Sequence, residues 1–484
     1  MSWRVVATLL LSAWGALAFG AVYPWAFTPL FVGCAAVGGA TFLQRRGTGK
    51  TEILLAATIA LLFAAVSIQL IPLSVSSIRW ISPETDVVLR RYAVGYPATR
   101  DAYPLSIEPR ATMLGLAAAG VLSVLLLGLA RSLTRDDTLH IARGVSILGV
   151  ILAVAGIAQK AMWNGKIYGF WTPIEAGDSF GPFVNHNHFA GWMLMALPLA
   201  VGYFCARVAR GMRQVKPGWR NRLVWFSSAD ASETILVGFA VLLMALALTM
   251  TMSRSGIVGL LAALILSGWF VIRRQATDSR RAIVAGYLIF VALVAVGWTG
   301  FETLAARFAQ NGTTDVGGRL WIWGDTWRLA GRFPLVGTGL NTYGSATLFY
   351  QTVEPTKRFT EAHNDYLQLL AEGGALVCIP AALVILAFAR TVHRRFREVS
   401  AESSDYWIRI GAMTGILAIA LQEISDFSLQ MPGNAVLFVV LIALAVRHSR
   451  PGRGSPGRPD PSAKATAVRR SVAKAESRHD DCTT

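Results

Sequence analysis

The chain has 484 residues, of which 54% are hydrophobic and 15% charged, and 45 Lys and Arg against 28 Asp and Glu give a formal net charge of +17. Soluble domains average about 25% charged residues, so this composition excludes a water-soluble enzyme, a disordered chain and a disulfide-stapled scaffold. On a soluble protein the positive excess would indicate a nucleic-acid partner, whereas on a polytopic membrane protein it marks cytoplasmic loops.

Apolar stretches long enough to cross a bilayer, roughly 17–25 residues each, recur from the N-terminus to the C-terminus. In lipid the backbone must be satisfied within each segment, which favours helices, and the alternation typical of barrel strands is absent. We therefore predict an all-α integral membrane protein with about twelve transmembrane helices, at residues 3–22, 27–43, 51–73, 109–130, 144–162, 186–206, 234–252, 255–272, 282–299, 363–389, 408–427 and 434–447.

The first predicted span has a second interpretation. Arg4, the apolar run after it and Ala16-Leu17-Ala18 are typical of a secretory signal with a cleavage site. Because apolar character resumes directly afterwards, we favour a retained first helix. Cleavage would leave the orientation of the later helices unchanged.

Basic residues concentrate in every second connection between the predicted spans, which orients the chain. The positive-inside rule places these connections and both termini in the cytoplasm, so the excess charge predicts contact with anionic membrane lipid and no nucleic-acid partner. Residues 1–448 form the predicted transmembrane domain. Residues 449–484, rich in Pro, Gly, Ser and basic residues, predict a disordered cytoplasmic tail.

Three segments on the outer side, 74–108, 163–185 and 300–362, are longer than a hairpin requires, and loops of this length are usually functional or disordered. In the last and largest, Leu320, Trp323 and Trp327 have the spacing of a helix that lies at the membrane interface with its aromatic residues toward lipid. A membrane-packed cap and a substrate site explain these tryptophans equally well.

Residues able to carry out chemistry also fall on the outer side. Arg254 begins one span, Arg319 lies in the large loop and His363 begins another span. Guanidinium groups suit the bidentate binding of phosphate oxygens, and histidine suits proton abstraction from a hydroxyl near neutral pH. A carboxylate such as Glu423 or Asp426 could orient that imidazole. The set predicts an enzyme that transfers a group from a phosphate leaving group to an acceptor hydroxyl. ATP and nucleotide sugars are cytosolic, so an active site on the outer side requires a lipid-linked donor.

Each of these residues also has a structural interpretation. His188 at a helix mouth is often an interfacial anchor, and an i, i+2 spacing directs His186 and His188 to different helix faces, which argues against a metal site. Gly337-Thr338-Gly339 lacks the G-x-G-x-x-G pattern of a dinucleotide site. Arg254 is harder to explain structurally, because an arginine at a span edge costs energy unless it pairs, snorkels or functions.

Several outer motifs together resemble the O-antigen ligase and O-antigen polymerase superfamily of bacterial envelope glycan transferases. The resemblance covers roughly residues 180–440, and its most specific part begins at His363. The motifs are Gly181-Pro182-Phe183-Val184-Asn185-His186-Asn187-His188-Phe189-Ala190-Gly191, Ser253-Arg254-Ser255-Gly256, Gly318-Arg319 with Trp321, Gly337-Thr338-Gly339-Leu340-Asn341, and His363-Asn364-Asp365-Tyr366-Leu367-Gln368 with Glu372-Gly373.

The resemblance implies an inner-membrane enzyme with about twelve helices and a large periplasmic loop at 300–362. It implies an undecaprenyl-pyrophosphate-linked glycan donor and neither a metal nor another cofactor. It further implies catalytic roles for three residues, with Arg254 and Arg319 on the pyrophosphate and His363 activating the acceptor hydroxyl. The remaining candidates, with substrate-binding roles, are Asn185, His186, His188, Asn341, Asn364, Asp365, Tyr366, Glu423 and Asp426.

The acceptor and two rival functions stay open at this point. Ligases of this kind use lipid A core, polymerases a second lipid-linked repeat, and protein O-oligosaccharyltransferases a Ser or Thr. A transporter of a small anion such as bicarbonate is the main rival, although inverted repeats and midplane charges are not evident. A non-catalytic membrane anchor for polysaccharide assembly proteins is the third interpretation, and it would use the basic tail.

Overall fold

The computed structural model describes residues 1–44, 50–173, 178–212, 215, 218–225, 227–274, 314–352, 358–399 and 403–448. The predicted span 282–299 and the predicted tail 449–484 lie outside the described residues. Met1–His448 form one compact unit.

Helices dominate this part of the chain, and we number them in chain order. They are α1 (Trp3–Leu17), α2 (Pro24–Phe42), α3 (Lys50–Ile68), α4 (Val75–Ile81), α5 (Pro83–Tyr92), α6 (Pro109–Ser132), α7 (Arg135–Ala161), α8 (His186–Met212), α9 (Trp219–Trp225), α10 (Ala229–Met250), α11 (Arg254–Arg274), α12 (Thr314–Arg332), α13 (Tyr343–Tyr350), α14 (Asp365–Arg397), α15 (Ser404–Gln422) and α16 (Pro432–Val446). A two-residue antiparallel ladder pairs Leu73–Ser74 with Ala102–Tyr103.

Every predicted span apart from 282–299 overlaps one of these helices. Seven of them, α2, α6, α7, α8, α10, α11 and α14, are long and apolar enough to cross a membrane, and α1, α3 and α16 are shorter apolar helices. The predominantly helical architecture agrees with the all-α membrane class, while the number twelve stays a prediction.

Large apolar side chains cover the outside of several of these helices. Leu114 of α6 is 69% exposed, Phe239 of α10 67% and Val32 of α2 64%. Water would penalise an apolar surface of this extent, whereas lipid accepts it. The exposed side chains therefore fit helices that face a bilayer.

The centre of the protein is α8, and 83% of its apolar segment is buried. It packs closely on α15 through glycines on both helices. A Cβ at Gly202 would lie 2.5 Å from the carbonyl oxygen of Trp407, and a Cβ at Gly411 would lie 2.5 Å from that of Pro198. Small residues allow this approach, as is typical of helix pairs in membranes.

The helix α15 is shorter than the predicted span 408–427. It ends at Gln422. The backbone N–H of Glu423 still donates to the carbonyl oxygen of Ile419, and that of Ser425 donates to the carbonyl oxygen of Gln422 in a turn. Glu423 and Asp426 therefore lie in the connection to α16 rather than on the helix. Residues 423–431, which we call the α15–α16 loop, supply much of the site described below.

The predicted outer segment 74–108 is folded rather than an open loop. It holds α4, α5 and one strand of the ladder. Arg332 at the end of α12 donates to Glu84 of α5 at 2.7 Å, which ties this segment to the region before α13. These elements form a folded layer against one end of the long helices.

Candidate active site

Four long helices meet at one end of the protein, which we call the site end: α8, α11 and α14 begin there and α15 ends there. The register of α11 follows from two glycines in it. A Cβ at Gly256 would lie 3.0 Å from the Cβ of Ala190 near the start of α8, and one at Gly259 would lie 3.0 Å from the carbonyl oxygen of Ala418 in α15. Arg254, half-buried at the start of α11, therefore lies at the site end.

Two histidines approach the same phenylalanine at this end. The ring of Phe427 meets His188 at 4.9 Å and His363 at 4.8 Å between ring centroids, both in edge-on geometry. His188 comes from the first turn of α8, whereas His363 precedes α14 and has a left-handed backbone with φ 51°. The α15–α16 loop thereby brings together two motifs that lie far apart in the sequence.

The helix predicted in the large outer loop is present as α12, although one of its tryptophans differs from the expected orientation. The Trp323 indole Nε1 donates to the carbonyl oxygen of His363 at 3.3 Å, so this side chain faces the site. Trp321 and Trp327 are 63% and 66% exposed, as expected for residues directed away from the protein. The helix α12 thus holds the backbone of His363 in place.

Asp426 is fully buried and faces Arg319 of α12. Its Oδ1 accepts from the backbone N–H of Phe427 at 2.9 Å, and its Oδ2 lies 4.0 Å from Arg319 Nη2. Burial raises the pKa of Asp426 to about 6, and the Arg319 charge acts in the opposite direction. Arg319 keeps a quarter of its side chain exposed. The carboxylate suggested as an orienting partner of the histidine is thus the counter-ion of the arginine.

Glu423, the other acidic residue of this loop, lies next to Asp365 at the start of α14. The backbone N–H of Asp365 donates to the carbonyl oxygen of Glu423 at 3.1 Å, and the amide of Gln430 donates to Asp365 Oδ1 at 2.7 Å. Burial, followed by the neighbouring charge of Asp365, raises the pKa of Glu423 well above its ordinary value. Two adjacent carboxyl groups cannot both ionise cheaply, and burial raises the pKa of Asp365 as well.

Several buried polar atoms around the α15–α16 loop accept or donate no hydrogen bond within the described part of the chain. Buried polar atoms in folded proteins are nearly always paired, and a cluster of exceptions indicates a place where a polar ligand or water completes the bonding. The atoms are His188 Nε2, Gln422 Oε1, Glu423 Oε2, Asp426 Oδ2 and Asn434 Oδ1.

The residues just before His188 support the start of α8. The Asn185 side chain accepts from the backbone N–H of Asn187 at 2.8 Å. His186 lies at the edge of the site, where its Nδ1 is 3.6 Å from Asp178 Oδ2. His186 and His188 therefore diverge, as their spacing predicts. The described residues contain no group of three or more His, Cys, Asp or Glu side chains able to hold a metal ion.

A second polar centre, which we call the Glu372 junction, lies where α14 bends. Gly374 leaves the helical conformation with φ 53° and ψ −161°. The backbone N–H groups freed there donate to carbonyl oxygens of the segment between α12 and α13. Ala375 donates to Pro334 at 2.9 Å, and Leu376 donates to Leu335 at 2.8 Å. A Cβ at Gly374 would lie 2.7 Å from the backbone nitrogen of Gly337, so glycine is required.

The buried Glu372 carboxylate fixes the turn that follows Gly337. It accepts from the backbone N–H groups of Asn341 at 2.7 Å and Tyr343 at 2.9 Å, and from the Gln368 amide at 3.3 Å. Asn341 is exposed, and its own amide donates to the carbonyl oxygen of Ala111 at 3.2 Å. The contacts of Asn341 are therefore with this junction and with α6, rather than with the two histidines.

Two further candidates have structural contacts at the start of α14. The Asn364 side chain accepts from the backbone N–H of Leu367 at 3.0 Å and so caps the helix. The Tyr366 hydroxyl donates to the carbonyl oxygen of Ala420 at 2.7 Å, which links α14 to α15. These residues position His363 and Asp365 by fixing where the helix begins.

The site also contains residues that the sequence did not single out for it. Phe427 contacts both histidines, and Gln430 holds Asp365. A phenylalanine next to an apolar span carries no pattern that distinguishes it from a lipid-facing residue. Trp323 had a signal in its helical spacing, but the interface helix predicted from that spacing directed the indole toward lipid, whereas the structure directs it toward the site.

The fold and the site define a helical, multi-pass membrane protein with a cationic and histidine-bearing site at one end of its long helices. Residues 239–382 match the protein family described as O-antigen ligase. The match includes Arg254, Arg319 and His363, and it supports assignment of the chain to the O-antigen ligase and polymerase superfamily, which confirms the resemblance seen in the sequence. No curated protein matches the chain.

The family assignment has two general consequences for the activity. It implies a glycosyltransferase-type or ligase-type enzyme. It also implies a lipid-linked glycan donor and a glycan acceptor as the general substrate classes.

Proposed function

We propose that the protein transfers a glycan from undecaprenyl pyrophosphate to an acceptor hydroxyl at the periplasmic face of the bacterial inner membrane. One observation carries the proposal: the partly exposed Arg319 faces the fully buried Asp426, and the next residue, Phe427, contacts the ring of His363, whose backbone accepts a hydrogen bond from Trp323. Together with the family match, this arrangement supplies an anion-binding group and a proton acceptor at the same end of the protein.

Arg319 is the first ligand of the donor pyrophosphate in this proposal. The Asp426 carboxylate lies 4.0 Å from one nitrogen of its guanidinium, and a quarter of the Arg319 side chain is exposed. A fixed guanidinium binds phosphate oxygens in bidentate fashion, and it stabilises the negative charge that grows on the departing pyrophosphate. Arg254, at the same end of the protein, is the second cation.

His363 is the proposed general base. It takes the proton of the acceptor hydroxyl as the acceptor oxygen forms its bond to the anomeric carbon, while the bond from that carbon to the phosphate oxygen breaks. Undecaprenyl pyrophosphate leaves with both electrons of the broken bond. The contacts from Trp323 to the backbone of His363 and from Phe427 to its ring reduce the number of orientations that the imidazole can adopt.

Three acceptor classes fit this chemistry: lipid A core, a second lipid-linked repeat, and a protein Ser or Thr. They share a hydroxyl nucleophile and therefore the same proton transfer. Supplying each acceptor in turn to the purified protein, with lipid-linked glycan from the host cells as donor, identifies the class by the mass of the product.

The test of the mechanism replaces Arg319 and His363. We expect Arg319→Ala and His363→Ala each to lower the rate of glycan transfer by about 10²–10³-fold, and Arg319→Lys to recover only part of the loss because it keeps the charge without the fork. Arg91→Ala, which removes an exposed arginine of α5, is the control and should be as active as the unmodified protein. Normal transfer by the Arg319→Ala and His363→Ala variants at normal protein levels would contradict the mechanism.

The proposed orientation has its own test, through Cys482 in the C-terminal segment. A membrane-impermeant thiol reagent should label Cys482 only after spheroplasts are permeabilised, because the charge distribution predicts a cytoplasmic C-terminus. The Cys482→Ser variant corrects for labelling of other cysteines. Labelling in intact spheroplasts would place the site end in the cytosol and remove the reason for a lipid-linked donor.

A further inference from the structure

Six aromatic side chains from two distant chain segments pack together at the site end. One segment is the turn between α1 and α2, and the other follows α7. We call the group the aromatic cluster; its members are Phe19, Tyr23, Trp25, Tyr168, Phe170 and Trp171. The Trp171 ring centroid lies 5.0 Å from that of Phe19 and 5.3 Å from that of Tyr23, and the Tyr168 centroid lies 5.6 Å from that of Phe19.

Hydrogen bonds fix the rings and leave an aromatic surface facing outward. The Tyr168 hydroxyl donates to the carbonyl oxygen of Leu17 at 2.7 Å, and Trp171 Nε1 donates to the Tyr23 hydroxyl at 3.2 Å. Trp25, Tyr168 and Phe170 remain 48%, 40% and 69% exposed. The cluster is therefore a preformed surface rather than a part of the core.

The backbone beneath the cluster is strained. Phe19, Ala21 and Tyr168 have φ of 59°, 57° and 55°, the left-handed region that residues with a Cβ rarely adopt. The other non-glycine residues with positive φ in the described ranges are Met252, Asn341 and His363, each in or next to a motif of the family resemblance. Strain of this kind is found where function requires a fixed geometry. The strained backbone therefore indicates a function for the cluster, as it does for those motifs.

The turn that carries the cluster is connected to the candidate active site through the start of α16. A Cβ at Gly20, between the strained residues, would lie 3.0 Å from the Phe183 ring, and a Cβ at Gly433 would lie 3.0 Å from the carbonyl oxygen of Gly20. The next residue, Asn434, donates its amide to the carbonyl oxygen of His188 at 3.0 Å. The cluster and the backbone of His188 are therefore connected through the start of α16.

We propose that the aromatic cluster is a glycan-binding subsite, which holds the sugar chain of the substrate beyond the unit that reacts. The C–H faces of sugar rings carry partial positive charge and stack on the electron-rich faces of aromatic rings. Exposed Asn164 and Lys166 beside the cluster offer hydrogen bonds to sugar hydroxyls. The proposal rests on the proposed function and adds that the enzyme selects for a chain of several sugars.

Membrane lipid is the competing occupant, because aromatic residues are enriched at membrane interfaces. Interfacial aromatics of that kind are distributed around a protein at one depth. Here two segments about 150 positions apart, such as those of Phe19 and Tyr168, place their rings in a single group held by strained backbone and internal hydrogen bonds. These features favour a specific ligand over general lipid contact.

The test compares a Trp25→Ala, Phe170→Ala double variant with Trp80→Ala, which removes an outer tryptophan that is 85% exposed. With the protein in nanodiscs and glycan transfer as the readout, the double variant should raise KM for a donor or acceptor of several sugars about fivefold. Its kcat should stay within about twofold, and KM for a single-sugar acceptor should not change. Trp80→Ala should match the unmodified protein in each measurement.

A binding measurement separates failure of this inference from failure of the proposed function. The probe is the oligosaccharide released by mild acid from the lipid-linked precursor of the host cells, titrated calorimetrically into each protein. We expect its affinity to fall about fivefold in the double variant. Absence of transfer by the unmodified protein would overturn the proposed function alone. Equal affinity in the two proteins, or a change confined to thermal stability in lipid, would overturn the glycan subsite and assign the cluster to the membrane.

Discussion

Glu372 and Asp426 are both buried acids, yet their surroundings differ in one respect that separates structure from chemistry. The Glu372 carboxylate accepts three hydrogen bonds, two from backbone N–H groups at the turn that leads into α13 and one from the Gln368 side chain of α14. Asp426 accepts one from Phe427, and its Oδ2 faces Arg319 at 4.0 Å without a hydrogen bond from the described residues. Fully satisfied polar groups hold a fold, whereas groups with spare bonding capacity can engage a substrate.

The comparison divides motifs that look alike in the sequence. Gly337 to Asn341 and Glu372 to Gly374 bind each other across the bend in α14, so their contacts explain them structurally. Arg319 and Asp426 face each other at 4.0 Å without a hydrogen bond to Asp426 Oδ2 from the described residues, and His363 contacts Phe427 in the same loop. We therefore expect substitutions in the Glu372 junction to reduce the amount of folded protein, and substitutions in the site to reduce the activity of each folded molecule.

The largest effect is expected at Gly337. Its φ is 67°, and an added Cβ would collide with the carbonyl group of Glu372, so Gly337→Ala should destabilise the protein by about 3–4 kcal/mol. Gly331→Ala is the matched control, because it lies in α12 and a Cβ there would meet no atom of the described chain within 4 Å. Thermal unfolding, monitored by fluorescence-detected size-exclusion chromatography, gives the melting temperatures of both variants. Equal melting temperatures would show that the junction is not rigid.

A smaller loss is expected for Glu372→Gln. The amide keeps one oxygen but turns an N–H₂ group toward a backbone N–H of Asn341 or Tyr343, which leaves a buried donor unpaired and costs about 2 kcal/mol. Transfer activity per folded molecule should be within about twofold of the unmodified protein. Loss of activity at an unchanged melting temperature would instead move Glu372 from the junction into the site.

The smallest effect, and the one most specific to the site, is expected for Asp426→Asn. Ionised Asp426 orients Arg319, so the activity of the unmodified protein should fall as pH drops through about 6, where burial places the pKa of this carboxyl. The variant should be about tenfold less active at pH 7.5, and this acid limb should change in it, because only protonation of His363, the proposed base, then remains to lower the activity. A limb unchanged in the variant would assign the titration to another group.

The same variant gives a readout in stability. The pKa of Asp426 is higher in the folded protein than the ordinary 3.8, so the folded state binds an extra proton between about pH 4 and 6, and the ionised carboxylate lowers stability above that range. Asp426→Asn should therefore raise the melting temperature at pH 7.5 while it lowers activity. Higher stability together with lower activity is typical of substitution at a functional residue. In the Glu372 junction we expect lower stability with little change in activity per folded molecule.

Hydropathy predicted much of the helical layout, because a membrane span depends on the composition of a continuous segment. It extended α15 to residue 427, since Phe427 and its neighbours do not differ in composition from the helix before them. It also left 74–108 as a long outer segment, because α4 and α5 are short and owe their place to contacts such as Glu84 with Arg332.

The site was predictable only in part. The family motifs pointed to Arg254, Arg319 and His363, and the structure brings Arg319 and His363 to the same loop. The motifs could not indicate that Asp426 faces Arg319 or that Phe427 contacts both histidines, because these contacts join positions far apart in the chain. For the same reason the aromatic cluster has no local pattern in the sequence.

The sequence by itself determined the membrane class, the positions of the apolar helices and the family, because these depend on local composition and short motifs. Only the tertiary structure decided which motif residues hold the bend in α14 and which surround the histidines. That division depends on which side chains meet after the helices pack and on which polar atoms remain unpaired when they do.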